Sequence, residues 1–180
     1  LTGNQNLIIG GVSSTNKPKI EKLLAQYSLM NKKDLTGLRL NSIACVALNT
    51  CSLAHAEAET YLPSLITKLE SILKDHNLDK EDIIIRMTGC PNGCGRPYLG
   101  EIGFVGRDMG RYNLYLGAGV NGDRLNKLYK EMLNEEQIIS ELSPIIADFA
   151  QNKKQHERFG DFVVRKEYVK ATLHGTDFHK

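Results

Sequence analysis

Residues 82–95 read DIIIRMTGCPNGCG, an apolar run through Ile83, Ile84 and Ile85 that passes directly into Thr88, Gly89, Cys90, Pro91, Asn92, Gly93, Cys94 and Gly95. A short continuous run of β-branched residues is the pattern of a strand buried on both faces, as in a sheet covered by helices. The strand is expected over Asp82 to Met87. Beyond it, three glycines and one proline surround two thiols. Such a loop turns sharply, brings its backbone close to a bound group, and aims successive N–H groups at negative charge.

Outward from this stretch, strand and helix patterns alternate. Upstream, Ile43 to Leu48 reads as a strand carrying Cys45, and Leu62, Leu65, Ile66, Leu69, Ile72 and Leu73 mark a helix after Cys51. Pro63 falls at a kink or near the helix start. Downstream, Glu101 to Arg107 and Tyr112 to Leu116 read as strands joined by a turn at Asp108, Met109 and Gly110. Gly117, Gly119 and Gly122 imply irregular backbone. A helix is expected from about Asn134, with Glu135 and Glu136 in its first turn and Ile138, Ile139, Leu142, Ile145, Ile146 and Phe149 on one face. Pro144 is expected to kink or restart it. From Gln151 onward a polar tail carries Phe159, Phe162, Tyr168 and Phe178 as scattered anchors.

The first residues form a separate pattern. Asn6 to Val12 reads as a buried strand closed by Gly10 and Gly11. Asn16, Pro18, Ile20, Leu23, Leu24 and Tyr27 then give a helix with a cap and one apolar face. A lone strand and helix cannot bury both sides of the strand, so a preceding chain is expected to complete the sheet. The start at Leu1, without Met, fits a piece of a longer protein. The polar stretch Asn31 to Gly37 is the expected linker, which divides the chain into residues 1–34 and 38–180. The fold class is α/β (α+β): a mixed sheet with flanking helices.

Composition narrows the function. The chain has 180 residues and a formal net charge of +2, with 41% hydrophobic and 24% charged residues. That is ordinary globular composition. The near balance of charge argues against a nucleic-acid binder held by phosphate contacts. No window approaches the roughly 18 apolar residues of a membrane-spanning helix, so no membrane association is expected. Four cysteines in a chain of this length are too few for a disulfide-built scaffold.

The cysteines fall as two pairs, Cys45 and Cys51 with five residues between them, and Cys90 and Cys94 with three. Structural thiols without a ligand would not need glycine and proline packed around them. Tetrahedral zinc is the stronger rival, because paired zinc cysteines are usually spaced by about two to four residues. The gap of three fits that rule and the gap of five does not. A four-iron four-sulfur (4Fe-4S) cluster on Cys45, Cys51, Cys90 and Cys94 is favoured by spacing and context.

The same residues resemble the cluster motif of the sirohaem-dependent sulfite and nitrite reductases. The likeness extends to Thr2–Ile9 (TGNQNLII), Gly110–Gly117 (GRYNLYLG), Tyr129–Glu131 and Phe159–Arg165 (FGDFVVR), which resemble the haemoprotein, or beta, subunit of assimilatory sulfite reductase. The resemblance implies the C-terminal third of such a subunit: residues 1–34 end a ferredoxin-like half-domain, and residues 38–180 form the cluster and sirohaem domain. It further implies that the four cysteines ligate the cluster and that Cys94 also ligates the sirohaem iron. Gln5, Asn6 and Asn92 become cofactor-side polar groups. The implied reaction is multi-electron reduction of sulfite to sulfide in sulfur assimilation, supplied through a flavoprotein (alpha) subunit that uses NADPH, in the cytoplasm. The family's substrate-binding basic residues lie outside this chain, so the chain alone is expected to be inactive. A sirohaem nitrite reductase and a non-catalytic iron-sulfur or zinc module are the alternatives.

The remaining features are bland. His55, His76, His156, His174 and His179 show no ligand spacing. Gly103, Gly106 and Gly110 lie between strands and not before a helix, so they do not read as a phosphate loop.

Overall fold

A computed structural model describes residues 1–29 and 35–179. The chain divides into two compact units, Leu1–Leu35 and Thr36–Lys180. The expected linker residues Asn31, Lys32, Lys33 and Asp34 lie outside the described residues.

In the first unit, a turn closes on Thr2, whose Oγ1 accepts hydrogen bonds from the Asn4 and Asn6 N–H groups at 3.3 and 3.1 Å. Helix α1 spans Lys17–Gln26 with Pro18 in its first turn, as the sequence suggests. Asn16 precedes it, but its side chain makes no capping bond. The expected strand from Asn6 to Val12 is absent. A strand exists only by pairing, and no other strand lies among the described residues of this unit to pair with it. Its apolar side chains stand in the open, with Leu7 and Ile8 exposed at 66% and 73%.

The second unit is built on a five-stranded mixed sheet in the order β1-β2-β3-β4-β5. Its strands are β1 Ser42–Ala44, β2 Ile85–Thr88, β3 Ile102–Asp108, β4 Arg111–Leu116 and β5 Lys127–Leu133. The first three are parallel and the last three antiparallel. Between β1 and β2 the chain crosses over through α3 (Leu62–Asp75), as a parallel pair requires. Alternate residues of the sheet, Ile85, Met87, Ile102, Phe104, Leu114 and Leu116, share a core with α3 and α4 (Glu135–Asn152). The apolar stripe of α3, Leu62, Leu65, Ile66, Leu69 and Leu73, is buried along its length. The mixed sheet with flanking helices is thus the expected fold class.

Several elements differ from the sequence reading. The strand expected from Ile43 to Leu48 stops at Ala44, because Ala47 takes a left-handed backbone and turns the chain out of the sheet. The run from Asp82 pairs only from Ile85 onward. Pro63 lies in the first turn of α3 and marks its start, well beyond Cys51. The α4 helix begins with a reciprocal box between Asn134 and Gln137, and it continues through Pro144 without a break. Ser140, which loses its backbone partner to that proline, is exposed to water.

Three elements carry no clear sequence signal. Helix α2 (Gly37–Leu40) is one turn, capped by Thr36 and tied to α3 by the Arg39 to Glu70 ion pair at 2.5 Å. Edge strand β5 is broken by Lys127, Lys130 and Glu131, charges that suit an unpaired edge. Helix α5 (Phe159–Arg165) turns the supposed tail into core, packing Phe159 and Phe162 edge-on against Phe149 at 5.4 and 5.1 Å.

Glu101 closes the unit. Its side chain is fully buried, accepts the Ile84 and Gly160 N–H groups at 2.9 and 3.0 Å, and pairs with Arg158 at 2.7 Å. One carboxylate therefore joins the approach to β2, the start of β3 and the start of α5. Glu101→Ala should cost about 3 kcal/mol, since it orphans one buried donor, one part-buried donor and an arginine. Urea unfolding of the variant beside the parent protein measures it, and a loss below about 1 kcal/mol would show that the junction does not need the carboxylate.

Candidate metal centre

The four cysteines all follow the carboxyl ends of β1 and β2. Cys45 is the first residue past β1, Cys51 lies in the loop after it, and Cys90 and Cys94 lie in the loop after β2. Adjacent parallel strands open toward ligands at this end of a sheet. The arrangement follows from register: Ala44 pairs with Met87, and the Cys45 N–H extends the ladder to the Met87 carbonyl at 3.2 Å. Thr88 consequently faces Cys45.

Backbone contacts sew the two loops together. The Gly89 carbonyl accepts from His55 N–H at 2.8 Å and from Ala56 N–H at 3.1 Å, joining the Cys51 loop to the Cys90 loop. A β-carbon at Gly89 would lie 2.6 Å from both Ala47 Cβ and the Ala56 carbonyl oxygen, so no larger residue fits. Gly95 is equally confined, with its missing side chain aimed at the Met87 carbonyl. Between them, Gly93 adopts a φ of +73° and its N–H donates to the Cys90 carbonyl at 3.3 Å. The Arg96 N–H returns to the Gly93 carbonyl at 2.7 Å, so two successive turns present Cys90 and Cys94.

Donors are aimed at sulfur. Cys45 Sγ accepts the Gly89 N–H at 3.3 Å and lies 3.4 Å from Thr88 Oγ1. None of the four cysteines forms a disulfide. Cys90 is buried, Cys45 and Cys51 are partly buried, and Cys94 is exposed.

Among the described residues, no three His, Cys, Asp or Glu side chains converge closely enough to hold a single metal ion. A lone tetrahedral zinc would draw its sulfurs to within about 4 Å of one another. A cluster attaches each thiolate to a different iron and tolerates wider spacing. The sulfur-directed N–H of Gly89 suits an anionic group, and the missing side chains of Gly89 and Gly95 let the two loops close on the protein's own backbone.

The other expected site residues divide. Asn92 lies exposed in the cysteine loop itself. Gln5 and Asn6 are exposed residues of the first unit, in the turn that closes on Thr2. Thr88 and the Gly89 N–H touch Cys45, and Arg86 lies two residues before Thr88, although the sequence reading gave them no role. Only the register of β1 on β2 reveals them.

No family model matches the chain. It is 55% identical over 179 residues, 99% of its length, to the sulfite reductase (NADPH) hemoprotein beta-component of Oceanobacillus iheyensis. It is 54% identical over 180 residues to the protein of the same description from Bacillus velezensis. The chain belongs to the sulfite reductase haemoprotein beta-component family. It spans 31% and 32% of the length of those two relatives. The solved structure of the Mycobacterium tuberculosis NirA protein shares the fold, with a TM-score of 0.68 and 24% identity over 87% of this chain and 30% of that one.

Gly95→Ala should displace the Cys94 loop from β2 and destabilise the protein by about 1–3 kcal/mol, the usual cost of overpacking. Thermal melting of the purified variant checks this, and an unchanged melting temperature would show that the close approach is dispensable.

Proposed function

We propose that this chain is the cluster-bearing part of a sulfite reductase haemoprotein, and that the whole protein reduces sulfite to sulfide in sulfur assimilation. The observation that carries the reading is the placement of all four cysteines after the ends of two paired parallel strands, in a chain 55% identical to such haemoproteins. Cys45, Cys51, Cys90 and Cys94 would hold a 4Fe-4S cluster. Cys94, the most exposed of the four, would also help to hold sirohaem. When bound, these groups store electrons and bind the substrate at one iron.

The chain's own part is to hold the thiolates. Gly89 N–H and Thr88 fix the position of Cys45 Sγ, and the two turns through Gly93 hold Cys90 and Cys94 on one short loop. Asn92, beside those thiols, and Gln5 and Asn6 in the first unit are proposed as polar contacts to the macrocycle. The relatives' name supports NADPH as the electron source and a separate alpha component, a flavoprotein, as the donor. Among the described residues no helix is long and apolar enough to cross a membrane, and a reducing cytoplasm suits thiolate ligands.

Residues 1–34 are proposed as the end of a ferredoxin-like half-domain. Support comes from Leu7, Ile8, Leu23 and Tyr27, all exposed in a unit whose helix buries nothing. The basic groups that bind sulfite are assigned to the portion of the relatives' length this chain does not span, so the chain alone should be inactive.

Cysteine variants of the full-length protein test the assignment. Cys94→Ser should abolish sulfite turnover and alter the haem spectrum together, whereas Cys45→Ser should lower cluster iron first. An unaltered haem spectrum and full turnover in Cys94→Ser would overturn the shared-ligand role.

A further inference from the structure

On the face of β2 that bears Thr88, two residues nearer the strand start, stands Arg86. It pairs in register with Ile43 of β1 and Gly103 of β3. The chain that follows Cys94 lies over it: a β-carbon at Gly100 would be 3.3 Å from Arg86 Cβ. Its Nε and Nη1 are buried and have no hydrogen-bond partner. Among the described residues no carboxylate forms an ion pair with it. Burial, and secondarily the neighbouring Arg96 charge, hold its pKa below the usual arginine value. A guanidinium nevertheless keeps its proton across the physiological range.

A permanent positive charge that is half-buried, with two unpartnered nitrogens and a second arginine near it, is costly unless negative charge is supplied nearby. Two carboxylates lie as near in sequence or register, but Glu101 is already paired with Arg158 and Asp82 is exposed, which leaves the cysteine set as the source within the described residues. Thr88, two residues on, touches Cys45 Sγ, and Cys90 is four residues on. We propose that Arg86 is the buried counter-charge of the cluster and raises its reduction potential. The inference rests on the reading that the four cysteines hold a cluster. A cluster with four thiolate ligands is a net anion, and reduction adds one more negative charge. A fixed cation in a low-dielectric surrounding therefore stabilises the reduced form more than the oxidised form. Arg86 is thus a positioning charge that acts through the cluster and touches no substrate.

The test is a redox titration of the cluster in the full-length protein, comparing the parent with Arg86→Met and Arg86→Lys. In Arg86→Met the ratio of reduced to oxidised cluster at a fixed potential should fall about tenfold, a downward shift of about 59 mV for one electron. Arg86→Lys keeps the charge and should stay within about threefold of the parent. A midpoint unmoved in Arg86→Met, with full cluster iron, overturns the proposal. Should Arg86→Met fail to retain the cluster, Arg86→Lys decides. Retention with a near-parental midpoint supports the charge, and loss in both variants shows that shape alone was required. A parent protein without cysteine-bound iron refutes the cluster reading itself, which is a separate readout.

Discussion

The hydrogen bond from the Cys45 N–H to the Met87 carbonyl sets the position of every thiol in this protein. It extends the pairing of β1 with β2 by one residue and brings the two cysteine loops out of the sheet side by side. Two parallel strands paired at their ends deliver two chain segments to the same place at no cost in long, flexible connections. What remains is steric. At Gly89 and Gly95 backbone meets backbone, and neither position has room for a β-carbon.

The rest of the second unit keeps those strand ends still. One sheet face is covered by α3 and α4, so β2 and β3 cannot slide without exposing Ile85, Met87, Ile102 and Phe104. Glu101 ties the entry to β2 to the beginning of α5, far along the chain. The opposite face is mixed: Arg86 and Thr88 stand there among the buried Ile43 and Val105, and Thr88 touches Cys45. Such polar groups weaken a core, and they make sense only where chemistry is to be placed. The fold thus places its cysteines at the strand ends, beyond a sheet held by its apolar core.

How much of this could be read from the sequence depended on whether the signal was local. The hairpin of β3 and β4, the stripe of α3 and the capped start of α4 are periodic over many residues, and all are present. The cysteine loop was readable because glycine and proline announce its turns. Asn6 to Val12 misled because a run of β-branched residues signals a strand only where a partner exists. Helix α5 was hidden because Phe159, Phe162 and Val163 offer barely one turn of periodicity. At the site, the cysteines were visible as residues. The donors to Cys45 were not, since they depend on which residue of β2 stands opposite Cys45. Arg86 is the clearest case: in sequence it is one more surface-type arginine, and only the register and burial give it meaning.

One measurement bears most directly on the cysteine site: the iron, acid-labile sulfide and zinc content of the full-length protein purified without oxygen, read with its visible spectrum. A four-iron cluster joined to a sirohaem predicts about five irons and four sulfides per chain, with a chlorin-type absorption. A colourless protein with one zinc and no labile sulfide would contradict it and leave the four cysteines as a structural metal site.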